Sequence, residues 1–129
     1  MKTSPSGIAR ITVEQAAERL GYGPGGAAGG HVAAPVLLDV RERDEWSAGH
    51  APDAVHHPLT ALLEGVPLPP GVQGRRLVVI CRSGNRSRQA AALLTDHASE
   101  AVDVIGGMHE WARAGLPVVD AQGLRGTVA

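Results

Sequence analysis

The chain of 129 residues has one cysteine, Cys81, at the head of Cys81-Arg82-Ser83-Gly84-Asn85-Arg86-Ser87. A thiolate is a strong nucleophile where the neutral thiol is not. The residues behind it suit an anion: two guanidinium groups (Arg82 and Arg86), two hydroxyls (Ser83 and Ser87), and a glycine for a tight turn. A free cysteine is most often a small buried hydrophobe. Such a residue has no use for this polar run, and buried arginines are costly unless paired. The pattern therefore predicts an open anion cradle, with Cys81 as nucleophile and the backbone amides of Arg82 to Ser87 stabilising charge on sulfur. Arg82 and Arg86 would hold the incoming anion. Asn85 is expected to take a left-handed backbone conformation in the tight loop.

Local structure must place that loop. Leu77-Val78-Val79-Ile80 is a short apolar, β-branched run and reads as a buried strand. An Ala/Leu-rich helix is expected from about Ser87 to Asp96. Strand, loop and helix in that order put Cys81 at the carboxyl end of a strand, where open α/β sheets bind ligands. The free N–H groups of the helix's first turn then point back at the sulfur.

The other elements follow in order. Ile8 to Ile11 reads as a strand. Thr12 with Gln15 forms a capping-box pattern, opening a helix with Val13, Ala16, Ala17 and Leu20 on one face and Gly21 as its stop. Residues 21–35, rich in glycine, are loop, better read as a surface insertion than as a lid. Val36 to Val40 and Ala54 to His57 read as strands, Arg43 to Ala48 as a helix with Trp46 as a core anchor, and Leu59 to Glu64 as a helix. A proline-rich connection, 65–74, leads to the central strand. Ala101 to Ile105 is the last strand, and Gly106-Gly107 turns into a helix, Met108 to Ala114, with Met108, Trp111 and Ala112 inward. Five strands alternating with helices predict an α/β three-layer sandwich with a central parallel five-stranded sheet. One domain, 8–119, is expected between a flexible N-terminus, 1–7, and a polar tail, 120–129.

Three stretches carry a family resemblance. Cys81 to Ser87 resembles the Cys-Arg-Ser-Gly-x-Arg-Ser loop of single-domain rhodaneses, which are sulfurtransferases. Leu38-Asp39-Val40-Arg41-Glu42, followed by Glu45-Trp46 and Gly49-His50-Ala51-Pro52, is similar to the family's Asp-Val-Arg segment and its Gly-His-x-Pro-Gly-Ala turn. Gly106-Gly107-Met108-His109-Glu110-Trp111 is similar to its C-terminal Gly-Gly-x-x-x-Trp helix. The resemblance implies a rhodanese-like fold and transfer of sulfane sulfur from a donor such as thiosulfate, through a Cys81 persulfide, to cyanide or a thiol. It implies that Arg82, Ser83, Gly84, Asn85, Arg86 and Ser87 bind substrate and that Asp39 and Arg41 brace the rim. No metal or organic cofactor is required. Partners would be small sulfur-containing anions and a thiol or sulfur-acceptor protein. Two positions depart from the pattern: Asp53 replaces the usual glycine, and His57 stands where an aliphatic residue is common.

Composition narrows the alternatives. A net charge of −1 gives no field for nucleic acid or an acidic membrane. No apolar run approaches a membrane span, and Met1 to Gly7 lacks a hydrophobic signal core. A lone cysteine suits a reducing compartment, so a cytoplasmic location is expected. His50, His56 and His57 do not predict a metal site, because adjacent strand residues point to opposite faces. Cysteine-dependent phosphatases and arsenate reductases place five residues between Cys and Arg, whereas Cys81 and Arg86 enclose four. The shorter loop favours a terminal sulfur over a tetrahedral oxyanion. A non-turnover persulfide relay or binding module for a partner protein is the alternative within the same chemistry.

Overall fold

The computed structural model describes residues 9–22 and 34–128. Five strands form one sheet: β1 (Ala9–Ile11), β2 (Val36–Asp39), β3 (Val55–His56), β4 (Arg76–Ile80) and β5 (Glu100–Val104). Their spatial order is β1-β5-β4-β2-β3, and every pairing is parallel. Between them run α1 (Val13–Leu20), α2 (Arg43–Ala48), α3 (Leu59–Leu63) and α4 (Asn85–Leu94), with α5 (Gly107–Arg113) after the last strand. The five-stranded α/β sandwich expected from the alternation is present. Residues 1–8, 23–33 and 129 lie outside the described residues, and with them the expectation of an insertion or lid.

The period-two alternation of β4 builds the layers. Leu77, Val79 and Cys81 join one core with Leu38, Val40, Leu59, Ala90, Ala91 and Leu94, under α3 and α4. Val78 and Ile80 join the other, with Ile11, Ala16, Leu37, Val102, Val104, Met108 and Trp111, under α1 and α5. Cys81 therefore points to the α4 side. The same alternation turns Arg10 and Asp103, which are register partners on β1 and β5, to that side as well.

Local signals explain most boundaries. The Thr12–Gln15 capping box is formed in both directions, and Gly21 closes α1 in a left-handed conformation. Other expectations are corrected. The central helix starts at Asn85, not Ser87, because Gly84 at φ 109° supplies the left-handed residue before it. Asn85 is consequently helical, and among the described residues only glycines have positive φ. Trp46 is half-buried rather than a core anchor. Its ring lies between His50, with centroids 3.6 Å apart, and His56, at 4.8 Å. Ala112 faces solvent while Met108 and Trp111 are buried, since α5 presents only its i, i+3 edge to the core. The polar tail folds back: Thr127 N–H donates to the Ala48 carbonyl at 2.9 Å, and Val128 packs on the second core.

Candidate active site

Cys81 follows the last residue of β4, and its backbone is held from the far side by α5. The Met108 N–H donates to the Cys81 carbonyl at 2.7 Å and the His109 N–H to the Arg82 carbonyl at 3.0 Å. This contact needs Gly107. Its φ is 57°, and a Cβ there would stand 2.3 Å from the Cys81 carbonyl oxygen. With the Cys81 and Arg82 carbonyls tied to α5, the Gly84 N–H donates to Cys81 Sγ at 3.0 Å. Arg82, Ser83 and Asn85 are exposed on the loop, whereas Gly84 and Ser87 are buried.

Two features correct the open cradle. Cys81 is only 1 % exposed, because its side chain sits in the hydrocarbon of the α4-side core below the loop. Arg86 is turned to Glu45 on α2, with both terminal nitrogens 2.7 Å from the two carboxylate oxygens. This fork is the strongest geometry a guanidinium and carboxylate can adopt. It holds the Glu45 carboxyl down to about 2, chiefly through the hydrogen bonds from Arg86. The Arg86 guanidinium is correspondingly raised, first by Glu45, with the charge of Cys81 adding to the effect. Arg86 is thus within electrostatic reach of the sulfur while bonded to another helix.

Ser87 Oγ accepts from the Cys81 thiol at 3.4 Å and donates to Asp103 Oδ2 at 3.2 Å. Asp103, fully buried, is gripped by Arg10 through Nε at 3.1 Å and Nη2 at 3.1 Å, and Arg10 Nη2 also reaches the Gly84 carbonyl at 3.2 Å. Sequence reasoning assigned no role to Arg10, Glu45 or Asp103. The available signal for Asp103 was a lone charge inside the apolar run Ala101 to Ile105.

Asp39 and Arg41 are both fully buried and form a fork of their own, with Arg41 Nε to Oδ1 at 2.9 Å and Nη2 to Oδ2 at 2.8 Å. Arg41 Nη2 also donates to the Gly49 carbonyl at 2.7 Å. Asp39 shares the face of Leu37, opposite to Cys81. The pair fixes the turn after α2, and between its two members the Val40 N–H donates to the carbonyl of Ile80, the residue before Cys81. The three histidines each bond a carbonyl: His50 to Trp46, His56 to Arg41 and His57 to Val66. Among the described residues no three His, Cys, Asp or Glu side chains converge as a metal site. No helix among them is long and apolar enough to cross a membrane.

A parallel α/β sandwich that presents its one cysteine on a strand–loop–helix turn defines a small class of domains. The chain belongs to the rhodanese-like domain family of sulfurtransferases, which matches residues 27–114. It is 36% identical over 92 residues to a sulfurtransferase of Allochromatium vinosum, covering 68% of this chain and 81% of that protein. It is 39% identical over 83 residues to an adenylyltransferase and sulfurtransferase of Ogataea parapolymorpha, covering 62% of this chain. The matched part spans only 21% of that longer protein. Among solved structures, a rhodanese-related protein from Thermoplasma volcanium superposes with a TM-score of 0.66 at 28% identity, covering 87% of this chain and 98% of the other.

Proposed function

We propose that this protein carries sulfane sulfur from thiosulfate to a nucleophilic acceptor through a persulfide on Cys81. The Cys81 thiolate attacks the outer sulfur of the donor. A new S–S bond forms, the donor's S–S bond breaks, and sulfite leaves with the bonding electrons. Cyanide, or a thiol in the cell, then attacks the outer persulfide sulfur and returns Cys81 as thiolate. The observation that carries this reading is the Gly84 N–H aimed at Sγ from 3.0 Å, inside a loop whose carbonyls α5 holds outward. A preformed donor at the charge-bearing atom stabilises an anionic sulfur without solvent reorganisation. Arg82 and Arg86 supply positive charge for the donor dianion. Ser83 and Asn85 face the solvent from which it arrives. The bonds made and broken are all at sulfur, and a reducing cytoplasm keeps the thiol available.

Intact-protein mass spectrometry after thiosulfate tests this directly. One added sulfur, removable by cyanide and absent in Cys81→Ser, is expected; turnover retained in Cys81→Ser sinks the assignment. A second reading, a dedicated relay to one acceptor protein, is favoured by the 1 % exposure of Cys81. In that case the persulfide forms but small thiols remove it slowly, whereas an enzyme shows steady ping-pong kinetics with thiosulfate and cyanide.

A further inference from the structure

Behind the cysteine loop runs a line of polar groups in an otherwise apolar layer: Ser87 Oγ, the Asp103 carboxylate and the Arg10 guanidinium. Asp103 is fully buried, and Ser87 Oγ links it to Cys81 Sγ in two steps of 3.2 and 3.4 Å. A negative charge so placed works against an anionic sulfur. What the carboxylate contributes therefore lies on its other side, where it meets Arg10. Arg10 stands opposite Asp103 on the edge strand β1, with its side chain partly open to solvent. Fixing a guanidinium on its flexible stem costs about 2 kcal/mol of rotamer freedom. Asp103 does the fixing: Arg10 Nε lies 3.1 Å from Oδ1 and Nη2 lies 3.1 Å from Oδ2. Nη2 has a second hydrogen, and it reaches the Gly84 carbonyl at 3.2 Å.

Gly84 is the residue whose N–H meets Sγ. Its φ of 109° and ψ of 0° lie where glycine moves freely, so nothing in its own covalent structure holds the peptide planes on either side. The Cys81 and Arg82 carbonyls are tied to α5, whereas the Gly84 carbonyl is tied to β1. The fit is close: a Cβ on Gly84 would stand 3.2 Å from Arg10 Nη2 and 3.2 Å from the Gly106 nitrogen. We propose that Arg10, pinned by Asp103, is a positioning residue for the transfer, holding the Gly84 carbonyl so that the Gly84 N–H stays on the sulfur throughout the cycle. This rests on the reading of Cys81 as the sulfur-carrying nucleophile. During the cycle the negative charge moves from Sγ to the outer persulfide sulfur and returns. A glycine free to turn would have to be ordered again at each step, and a clamped one does not. Arg10 thus acts on the sulfur through Gly84 and not by contact.

The test is single-turnover persulfide formation with thiosulfate, read by intact-protein mass spectrometry with Cys81→Ser as the blank. Arg10→Gln is expected to slow the reaction at saturating thiosulfate at least about tenfold, short of the cost of deleting such a donor outright. The half-saturating thiosulfate concentration is expected to change by less than about twofold, because Arg82 and Arg86 hold the donor. Asp103→Asn, nearly isosteric, leaves Arg10 its charge but loosens its anchor, and it is expected to be slower too. If Arg10 works instead by attracting the anion through space, removing the carboxylate speeds the reaction, which overturns the proposal. A lower denaturation midpoint with an unchanged rate in the folded fraction also overturns it, since the pair is then structural only. Should either single variant not fold, the double variant Arg10→Gln, Asp103→Asn leaves no buried charge unpaired and keeps the pair's net charge at zero. A slowed double variant supports the clamp, and a parental rate overturns it. Hydrogen exchange of the Gly84 amide, followed by NMR, reads the clamp without thiosulfate: faster exchange than in the parent is expected in each variant. Equal exchange ends the role of Arg10 and leaves the persulfide chemistry standing. Failure of the parent to gain sulfur from thiosulfate ends the sulfur-transfer reading, while the exchange comparison still decides whether Arg10 holds Gly84.

Discussion

Arg86 has two claimants, the Glu45 carboxylate and the anionic donor. Its five N–H groups resolve the conflict. Glu45 takes one hydrogen from each terminal nitrogen, which leaves further donors on the same planar group for a second oxyanion. Arg86→Ala is therefore expected to slow persulfide formation at least about tenfold, as loss of a charged contact to a reacting anion does. Its effect on stability should stay near about 1 kcal/mol, because the pair is partly solvated. Denaturant melts beside single-turnover kinetics check this; a large stability loss with unchanged kinetics would make Arg86 purely structural. The pH dependence has a definite sign. Glu45 lies near 2 in the folded chain against an ordinary 4.5, so its stabilising contribution is complete above about 4.5 and drains away as pH falls toward 2. Thermal melts across that window should show a limb that flattens in Glu45→Gln. An unchanged limb would mean that the clasp does not form in solution.

At the scale of elements, the cysteine loop is a joint between β4, α4 and α5, and glycines set its geometry. Gly84 gives the left-handed residue that lets α4 begin early, and Gly107 lets α5 lie against the Cys81 and Arg82 carbonyls. Gly107→Ala meets both a positive φ and a backbone oxygen, a combination expected to cost about 1–3 kcal/mol from conformation alone and more from the displaced helix. Chemical denaturation would read this as a lower midpoint, with persulfide formation impaired in the fraction still folded. A midpoint equal to the parent's would show that α5 does not seat the loop. This scale also shows how legible the chain is. Thr12-Gln15, Gly21 and the β-branched run Leu77 to Ile80 act through neighbours in sequence, and their elements appear where local chemistry puts them. Asn85 and Trp46 depart from expectation for different reasons: the adjacent Gly84 takes the left-handed turn from Asn85, and two histidines from another turn and strand stack on Trp46 outside the core. The cysteine loop was legible as a motif. Its partners were not, since Glu45 and Asp103 reach it across separations of 41 and 16 residues that no spacing rule encodes.

Across the whole molecule, the sheet divides two apolar layers, and the site draws on both. The sulfur and its polar line lie on the α4 side, whereas the helix that ties down its backbone, α5, belongs to the other. On α2, Glu45 clasps Arg86, and Ala48 at the far end accepts a hydrogen bond from the returning C-terminal segment. That segment also pairs Val119 with His50 and Arg125, and it adds Val128 to the α5-side core. Removing residues 120–129 should therefore do more than trim a polar end. Loss of one partly buried valine and of the Gly126–Val118 and Thr127–Ala48 backbone hydrogen bonds is expected to cost about 2–4 kcal/mol, at about 1 kcal/mol for each bond and 1–2 kcal/mol for the valine. The effect should concentrate on the Ala48 end of α2, which loses the Thr127 hydrogen bond and keeps only those of Gly49 to Arg41 and of His50 to Val119. Cys81, fixed by β4 and α5, should still gain one sulfur from thiosulfate, while the acid limb due to Glu45 weakens as α2 loosens. Hydrogen exchange on the truncated chain separates the possibilities: faster exchange in 43–50 with protected 77–81 is the expected pattern. Uniform loosening would mean that the two layers unfold as one unit, and no change would mean that the segment only rests on the surface.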